Sequence, residues 1–169
     1  DGVVLAALHR EENRSNIKIE DISPVLIKTV IAVEDSAFYS HNGLDFRGIL
    51  RALYRDVLAG AFVEGGSTLT QQLARNLFLS RKRKLSRKLS EAILAVQIER
   101  NYTKQEILEM YLNQVYWGHN SYGVQSAANL YFGKTATELN LAESAMLVGL
   151  LTGPELYTPF RNFSGAKRR

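Results

Sequence analysis

Apolar residues recur three and four positions apart along most of the chain and almost nowhere alternate, which predicts helices joined by short polar turns. Ser23-Pro24 reads as a helix start, a capping residue followed by proline at the first helical position, and this helix is expected to run to about Tyr39. Asp45 precedes a second periodic segment, with Phe46, Ile49, Leu50, Leu53 and Val57 on one stripe and Arg47, Arg51 and Arg55 off it. Gly65-Gly66 breaks the chain, and Thr68-Leu69-Thr70-Gln71 offers a capping box for a third helix through Leu79. A fourth helix, from about Leu85 to Arg100, carries Leu85, Leu89, Ile93 and Val96. Thr103-Lys104-Gln105-Glu106 is another capping box, and Ile107, Leu108, Tyr111, Leu112 and Val115 form the stripe that follows it. Trp117-Gly118-His119-Asn120 predicts a turn, and a short helix from Val124 to Phe132 stops at Gly133. Asn140 with Glu143 caps a last long helix that Gly153-Pro154 ends, and Gly2 to Leu8 is the one candidate strand. The pattern therefore predicts one mostly α domain.

Composition narrows this picture only a little. A chain of 169 residues with 46% apolar side chains buries a sizeable core without cross-links. The absence of cysteine removes thiol catalysis and zinc-thiolate sites but leaves the redox compartment open. A net charge of +4 favours an anionic partner. No apolar run approaches the ~18 residues that cross a bilayer. The first residue is Asp1 and no signal peptide precedes it, so the chain is expected to be an excised or processed piece, with any anchor outside it.

Three features carry candidate chemistry. Glu34 lies on an apolar stripe, with Ile31, Val30 and Ile27 three, four and seven positions before it and Phe38 four after. A carboxylate placed there loses hydration, which suits a proton acceptor working near neutrality; a stripe-edge Glu paired with a basic residue gives the same pattern. On the third helix Thr68, Gln71, Gln72, Arg75 and Asn76 recur at helical spacing opposite Leu69, Leu73 and Leu77. Hydroxyls and amides suit a hydroxyl-rich ligand, although an ordinary polar face would look alike, and Gly65-Gly66 would let backbone N–H groups approach an anion. From Arg81 to Lys88 six of eight residues are basic, and Arg87 and Lys88 lie four and three positions before Glu91. That spacing fits either a solvated salt bridge or a cationic clamp for a di- or polyphosphate, with Glu91 orienting it. Of the histidines only His41 lies near another candidate, and no pair has metal-ligand spacing, so no metal site is expected.

Five ordered blocks make the sequence resemble glycosyltransferase family 51, the peptidoglycan glycosyltransferase domain of class A penicillin-binding proteins and of monofunctional glycan polymerases. They are Glu34-Asp35-Ser36-Ala37-Phe38-Tyr39-Ser40-His41-Asn42-Gly43, the run Gly65 to Leu77, Arg87-Lys88 with Glu91 and Glu99, the stretch Ile107 to Asn113 continuing to Lys134, and Leu141-Ala142-Glu143 to Gly153-Pro154. The resemblance implies a single lysozyme-like helical domain over residues 1–169 with a long active-site cleft, a membrane anchor and possible transpeptidase domain lying outside it. It also implies polymerisation of lipid II into β-1,4-linked glycan with inversion and release of polyprenyl pyrophosphate. Glu34 would be the catalytic base, and Glu91 the second catalytic carboxylate, near the donor pyrophosphate. Arg75, Arg87 and Lys88 would neutralise that pyrophosphate; position 75 is commonly Lys in the family, so Arg changes the donor geometry there. Ser67, Thr68, Gln71, Gln72 and Asn76 would face substrate, with Asp35 and His41 supporting the site. Glu109 and Asn113 match the fourth block in a structural or a binding role.

The same resemblance implies that the segment from Phe46 to Leu58 faces the membrane and the lipid chain, as an interfacial helix does; a plain core helix is the alternative. Expected partners are lipid II, the growing glycan strand, the bacterial membrane surface and other cell-wall synthesis proteins. The expected place is the outer face of the cytoplasmic membrane, and moenomycin the expected inhibitor. No cofactor is required, and a divalent cation, Mg or Mn, is a candidate stimulant at the pyrophosphate. A lysozyme-like hydrolase would need two carboxylates flanking the scissile bond and no Arg/Lys cluster. A basic module binding nucleic acid through Arg81 to Lys88 would leave Glu34 without a role. Glu34 and Glu91 are thus expected to line one cleft without touching, with the polar face of the third helix in the same groove.

Overall fold

Pro24, whose ring fixes φ and whose missing N–H no helix needs at its first position, begins α1 (Pro24–Glu34). The computed structural model describes residues 13–61, 65–78 and 85–168, so the candidate strand from Gly2 to Leu8 and the basic residues Arg81 to Lys84 lie outside the described residues. After α1 come α2 (Phe46–Ala59), α3 (Leu69–Phe78), α4 (Leu85–Asn101), α5 (Lys104–Gln114), α6 (Val124–Phe132) and α7 (Leu141–Leu151). Two short helices, α8 (Pro154–Tyr157) and α9 (Phe163–Arg168), follow where the pattern predicts only an end. Strands β1 (Asn13–Arg14) and β2 (Ser121–Tyr122) pair in parallel, Asn13 opposite Ser121. The described chain is one mostly α domain.

Local chemistry sets most helix starts. Asp45 accepts from the Gly48 N–H at 2.9 Å, and reciprocal capping boxes join Thr103 to Glu106 and Asn140 to Glu143. Gly133, at φ 64°, closes α6 in the left-handed region. Ser23 departs from expectation. Its hydroxyl donates to the Leu139 carbonyl at 2.7 Å and so ties the start of α1 to the turn before α7, the helix on which α1 packs. α1 also stops at Glu34 rather than near Tyr39, because Asp35 leaves the helix to accept the Leu69 N–H of α3 at 2.9 Å.

α5 runs through the core, burying Ile107, Leu108, Tyr111 and Leu112. Leu69 and Leu73 of α3, Leu26 and Val30 of α1, Leu147 and Leu150 of α7, and Phe38 and Trp117 from the connections complete it. Each such aliphatic or phenyl side chain contributes roughly 1.5–3 kcal/mol by leaving water.

Two helices turn a different face inward from the one their apolar residues suggest. In α4 Leu89 and Ile93 are exposed, Leu89 at 65%, whereas Glu91, Ala95 and Ile98 are buried. Glu91 can be buried because two cations pair with it, and at Ala95 another backbone comes close to that of α4. In α2 the stripe of Phe46, Leu50, Leu53 and Val57 faces solvent, Val57 at 72%, and only Gly48 and Ala52 are buried. Among the described residues no other helix packs broadly on α2, so it is not a plain core helix there.

The backbone approaching Ala95 is that of Gly43, at φ +91°; a Cβ there would lie 2.9 Å from the Ala95 carbonyl carbon and oxygen. Both strain and collision oppose any side chain at this position. Gly43→Ala is therefore expected to lose about 2–3 kcal/mol of unfolding free energy in a urea titration. An unchanged midpoint would mean that the loop around Gly43 moves freely away from α4.

Candidate active site

Glu34 ends α1 and opens, half-buried, on a cleft of about 670 Å³. The end of α1 forms one wall, α2 with Asp45, Arg51 and Arg55 forms another, and the backbone from Gly65 to Thr68 completes the lining. Arg51 and Arg55 were not among the expected site residues. Their i, i+4 spacing off the apolar stripe of α2 is the signal that places both on one side. The Glu34 carboxylate is held from α3, where the Gln72 Nε2 amide donates to its Oε2 at 2.9 Å. Behind Gln72, the Tyr111 hydroxyl of α5 donates to the amide oxygen at 3.2 Å. Sequence reading placed Tyr111 only in a core stripe.

Asp35 and His41 lie behind this wall. The His41 Nε2–H donates to both Asp35 oxygens at 3.0 Å, while His41 Nδ1 accepts from the Gly43 N–H at 3.2 Å. With Nδ1 accepting, Nε2 is the donating nitrogen of the ring in this arrangement. Lys104 holds the same loop from α5: its ammonium donates to the His41 carbonyl and to Glu99 Oε1, each at 2.7 Å, and sits 4.4 Å from the centre of the Phe38 ring. Thr70 donates to the same Glu99 oxygen at 2.6 Å. Nothing in the spacing of Lys104, Glu99 and Thr70 announces this network.

Thr68 and Gln71 take partners within the protein. Both are buried, and their polar atoms cap α3: the Gln71 N–H donates to Thr68 Oγ1 and the Thr68 N–H to Gln71 Oε1, each at 3.1 Å. The Thr68 hydroxyl then donates to the Gly43 carbonyl at 2.7 Å. α3 packs on both α4 and α5, and Thr68 and Gln71 use these atoms to cap it. Thr68 still contributes to the cleft lining, Gln72 and Arg75 are half-buried, and Asn76 is exposed.

The third group gathers at the start of α4. Glu91, 1% exposed, accepts from Arg87 and, at 3.1 Å, from Lys88. The Lys88 ammonium also donates to Ser67 Oγ at 2.6 Å, and Ser67 lines the cleft. The cations are thereby joined to the cleft that Glu34 faces, while Glu34 and Glu91 hold separate sets of partners. A buried carboxylate with two cations leaves a net positive charge at the cleft edge, a place for an anion to form or depart. Among the described residues no three His, Asp or Glu side chains gather as metal ligands, and no helix is long and apolar enough to cross a membrane.

Comparison with known proteins finds relatives along the whole chain. The family model described as Transglycosylase matches residues 1–169. Penicillin-binding protein 1F of Bacillus subtilis (strain 168) is 44% identical over 169 residues, which is all of this chain and 24% of the relative. Penicillin-binding protein 1A of Escherichia coli (strain K12) is 46% identical over 165 residues, 98% of this chain and 19% of the relative. Penicillin-binding protein 1B of Haemophilus influenzae is 46% identical over 162 residues, 94% of this chain and 21% of the relative. The chain thus spans about a fifth to a quarter of the length of these relatives.

The two cations on Glu91 should differ in their worth to the fold. The Arg87 side chain is 21% exposed and that of Lys88 47%. Arg87→Met strips the buried carboxylate of its better-shielded partner and is expected to cost roughly 3 kcal/mol. Lys88→Met removes a solvent-screened one and should cost less than about 1 kcal/mol. Urea titrations of the two variants check this, and equal losses would show that burial does not rank the pairs.

Proposed function

The chain belongs to the transglycosylase family, and from that premise we propose that it is a peptidoglycan glycosyltransferase that polymerises lipid II. The observation that carries the reading is the pairing of two unlike charges on one cleft: Glu34, held by Gln72, and the Arg87–Lys88 pair, joined to the cleft lining through Ser67. Glu34 takes the proton from the 4-hydroxyl of the acceptor GlcNAc as that oxygen attacks the anomeric carbon of the donor MurNAc. The bond from that carbon to the pyrophosphate oxygen breaks, its electron pair leaves with the pyrophosphate, and a β-1,4 link forms with inversion. Charge accumulates on the leaving group, where Lys88, Arg87 and Arg75 neutralise it. Arg51 and Arg55 add positive charge to the cleft wall.

The fate of Glu91 favours transfer over hydrolysis. A glycosidase needs a second carboxyl able to give or take a proton beside the scissile bond. Glu91 is instead buried and committed to two cations, so it orients them rather than serving as an acid.

The exposed stripe of α2 supports a membrane surface as partner. An apolar face of Phe46, Leu50, Leu53 and Val57 next to Arg47, Arg51 and Arg55 is what a helix lying in the headgroup layer presents. The lipid chain of the donor would lie along this helix while its pyrophosphate and sugars occupy the cleft. On this reading the domain works at the outer face of the bacterial cytoplasmic membrane, with other cell-wall synthesis proteins and no nucleic-acid partner. A divalent cation, Mg or Mn, would act on the substrate phosphates themselves rather than in a protein cage.

Glu34→Gln keeps the shape and the Gln72 neighbour but cannot accept a proton. It should fold normally and lose at least about 100-fold in polymer formation from lipid II, read on a gel together with released polyprenyl pyrophosphate. Retention of more than a tenth of wild-type turnover would remove Glu34 as the base. Separately, Leu50→Asp with Val57→Asp should abolish sedimentation with anionic lipid vesicles and leave the thermal melt unchanged, because neither residue is in the core. Undiminished vesicle binding would reject α2 as the membrane face.

A further inference from the structure

We propose that Tyr111 is a positioning residue for Glu34, acting through the side-chain amide of Gln72; the proposal rests on the reading of Glu34 as the base. The three groups form one chain from the core to the cleft: the Tyr111 O–H donates to Gln72 Oε1 at 3.2 Å, and Gln72 Nε2 donates to Glu34 Oε2 at 2.9 Å. They come from α5, α3 and α1, so no local feature of any one helix creates the arrangement.

A primary amide has an acceptor end and a donor end of nearly equal shape, and packing alone does not choose between them. With the amide oxygen toward Glu34, two acceptors would oppose each other and the carboxylate would swing away. A donor fixed behind the amide oxygen favours the productive orientation, and successive donor–acceptor links in a low-dielectric interior reinforce one another. Tyr111 meets this requirement well. Its side chain is wholly buried, so no water competes for the hydroxyl. Burial pushes its phenol above the ordinary value, the Glu34 carboxylate adds to the rise and Arg75 opposes it, so the group is an O–H donor at neutral pH.

The consequence for the reaction is directional. Gln72 holds Oε2 of Glu34, and Glu34 lines the cleft, so the carboxylate is anchored through one oxygen where it meets the site. An acceptor hydroxyl then meets a carboxylate oxygen of fixed direction, which matters for the transfer step rather than for substrate affinity. Removing the Tyr111 oxygen takes away the donor that fixes the amide and leaves it free to rotate, and Glu34 loses its anchor for part of the time.

The test is a double-mutant cycle on lipid II polymerisation with Tyr111→Phe, Gln72→Met and the double variant, run beside Glu34→Gln and with thermal melts of every protein. Tyr111→Phe should lower kcat about tenfold with KM within twofold of wild type. Gln72→Met should lower kcat at least as much, and adding Tyr111→Phe to it should cost nothing further, because the hydroxyl then has no amide to orient. A purely structural tyrosine would lower the melting temperature and reduce activity by the same factor in both backgrounds. Full kcat in Tyr111→Phe, full kcat in Gln72→Met, or equal losses from Tyr111→Phe with and without Gln72 would each overturn the proposal. Gln72→Met alone keeps it falsifiable should Tyr111→Phe fail to fold. An inactive Glu34→Gln alongside any of those results would remove only the role of Tyr111, whereas an active Glu34→Gln would remove the base assignment and this proposal together.

Discussion

The carboxylate of Asp35 stands where the end of α1, the start of α3 and the loop carrying His41 meet. It accepts the Leu69 N–H in the first turn of α3, where the helix dipole favours a negative charge, and it accepts the His41 ring N–H. His41 in turn accepts from Gly43, and the Gly43 carbonyl accepts from the Thr68 hydroxyl that caps α3. The ring of contacts closes on α4, because the Gly43 backbone lies directly against Ala95. Turning Asp35 inward under α3 leaves its neighbour Glu34 facing the cleft, within reach of Gln72 one turn further along the same helix. The geometry of the proposed base thus follows from an anchor made by the adjacent residue.

Charge is handled differently at the two ends of the site. At the Glu34 end the partner is the neutral amide of Gln72, backed by the Tyr111 hydroxyl, which orients a carboxylate without neutralising it. At the Glu91 end two cations surround a carboxylate that is itself out of water. Such pairs contribute little net stability, since desolvation offsets most of the attraction. What they supply is a guanidinium and an ammonium held at the cleft edge, with Lys88 also on Ser67. The division matches a reaction in which a proton is taken at one point and negative charge departs at another.

α2 carries the opposite tension. A stripe of large apolar residues left in water opposes stability, and monomeric proteins keep such patches small unless something covers them. Gly48 and Ala52, the small residues of the helix, are the ones buried, so α2 touches the rest of the domain lightly and keeps its apolar face outward. Arg51 and Arg55 of the same helix line the cleft. One helix therefore joins the surface suited to a lipid layer to the place where chemistry is proposed.

What the sequence by itself determined is local: the reciprocal caps at Thr103 and Asn140, the aspartate cap at 45, the glycine stop at 133, and the prediction of one mostly α domain. Each depends on residues within about one helical turn, so the energies that decide it are present in a short window of chain. Glu34 was also legible, as a carboxylate on an apolar stripe and as part of a motif block. Tertiary structure alone decided which way helices faced and which polar groups stayed available. Leu89 and Val57 fit an inward stripe equally well by spacing, but Glu91 could be buried by pairing with Arg87 and Lys88, and α2 met no broad partner. Thr68 and Gln71 fit a cap and a ligand face equally well until packing against α4 and α5 turned them inward. The link from Tyr111 through Gln72 to Glu34 joins residues 39 and 38 positions apart. It exists only because three helices pack together, and a hydrogen bond of that kind leaves no periodic trace along the chain.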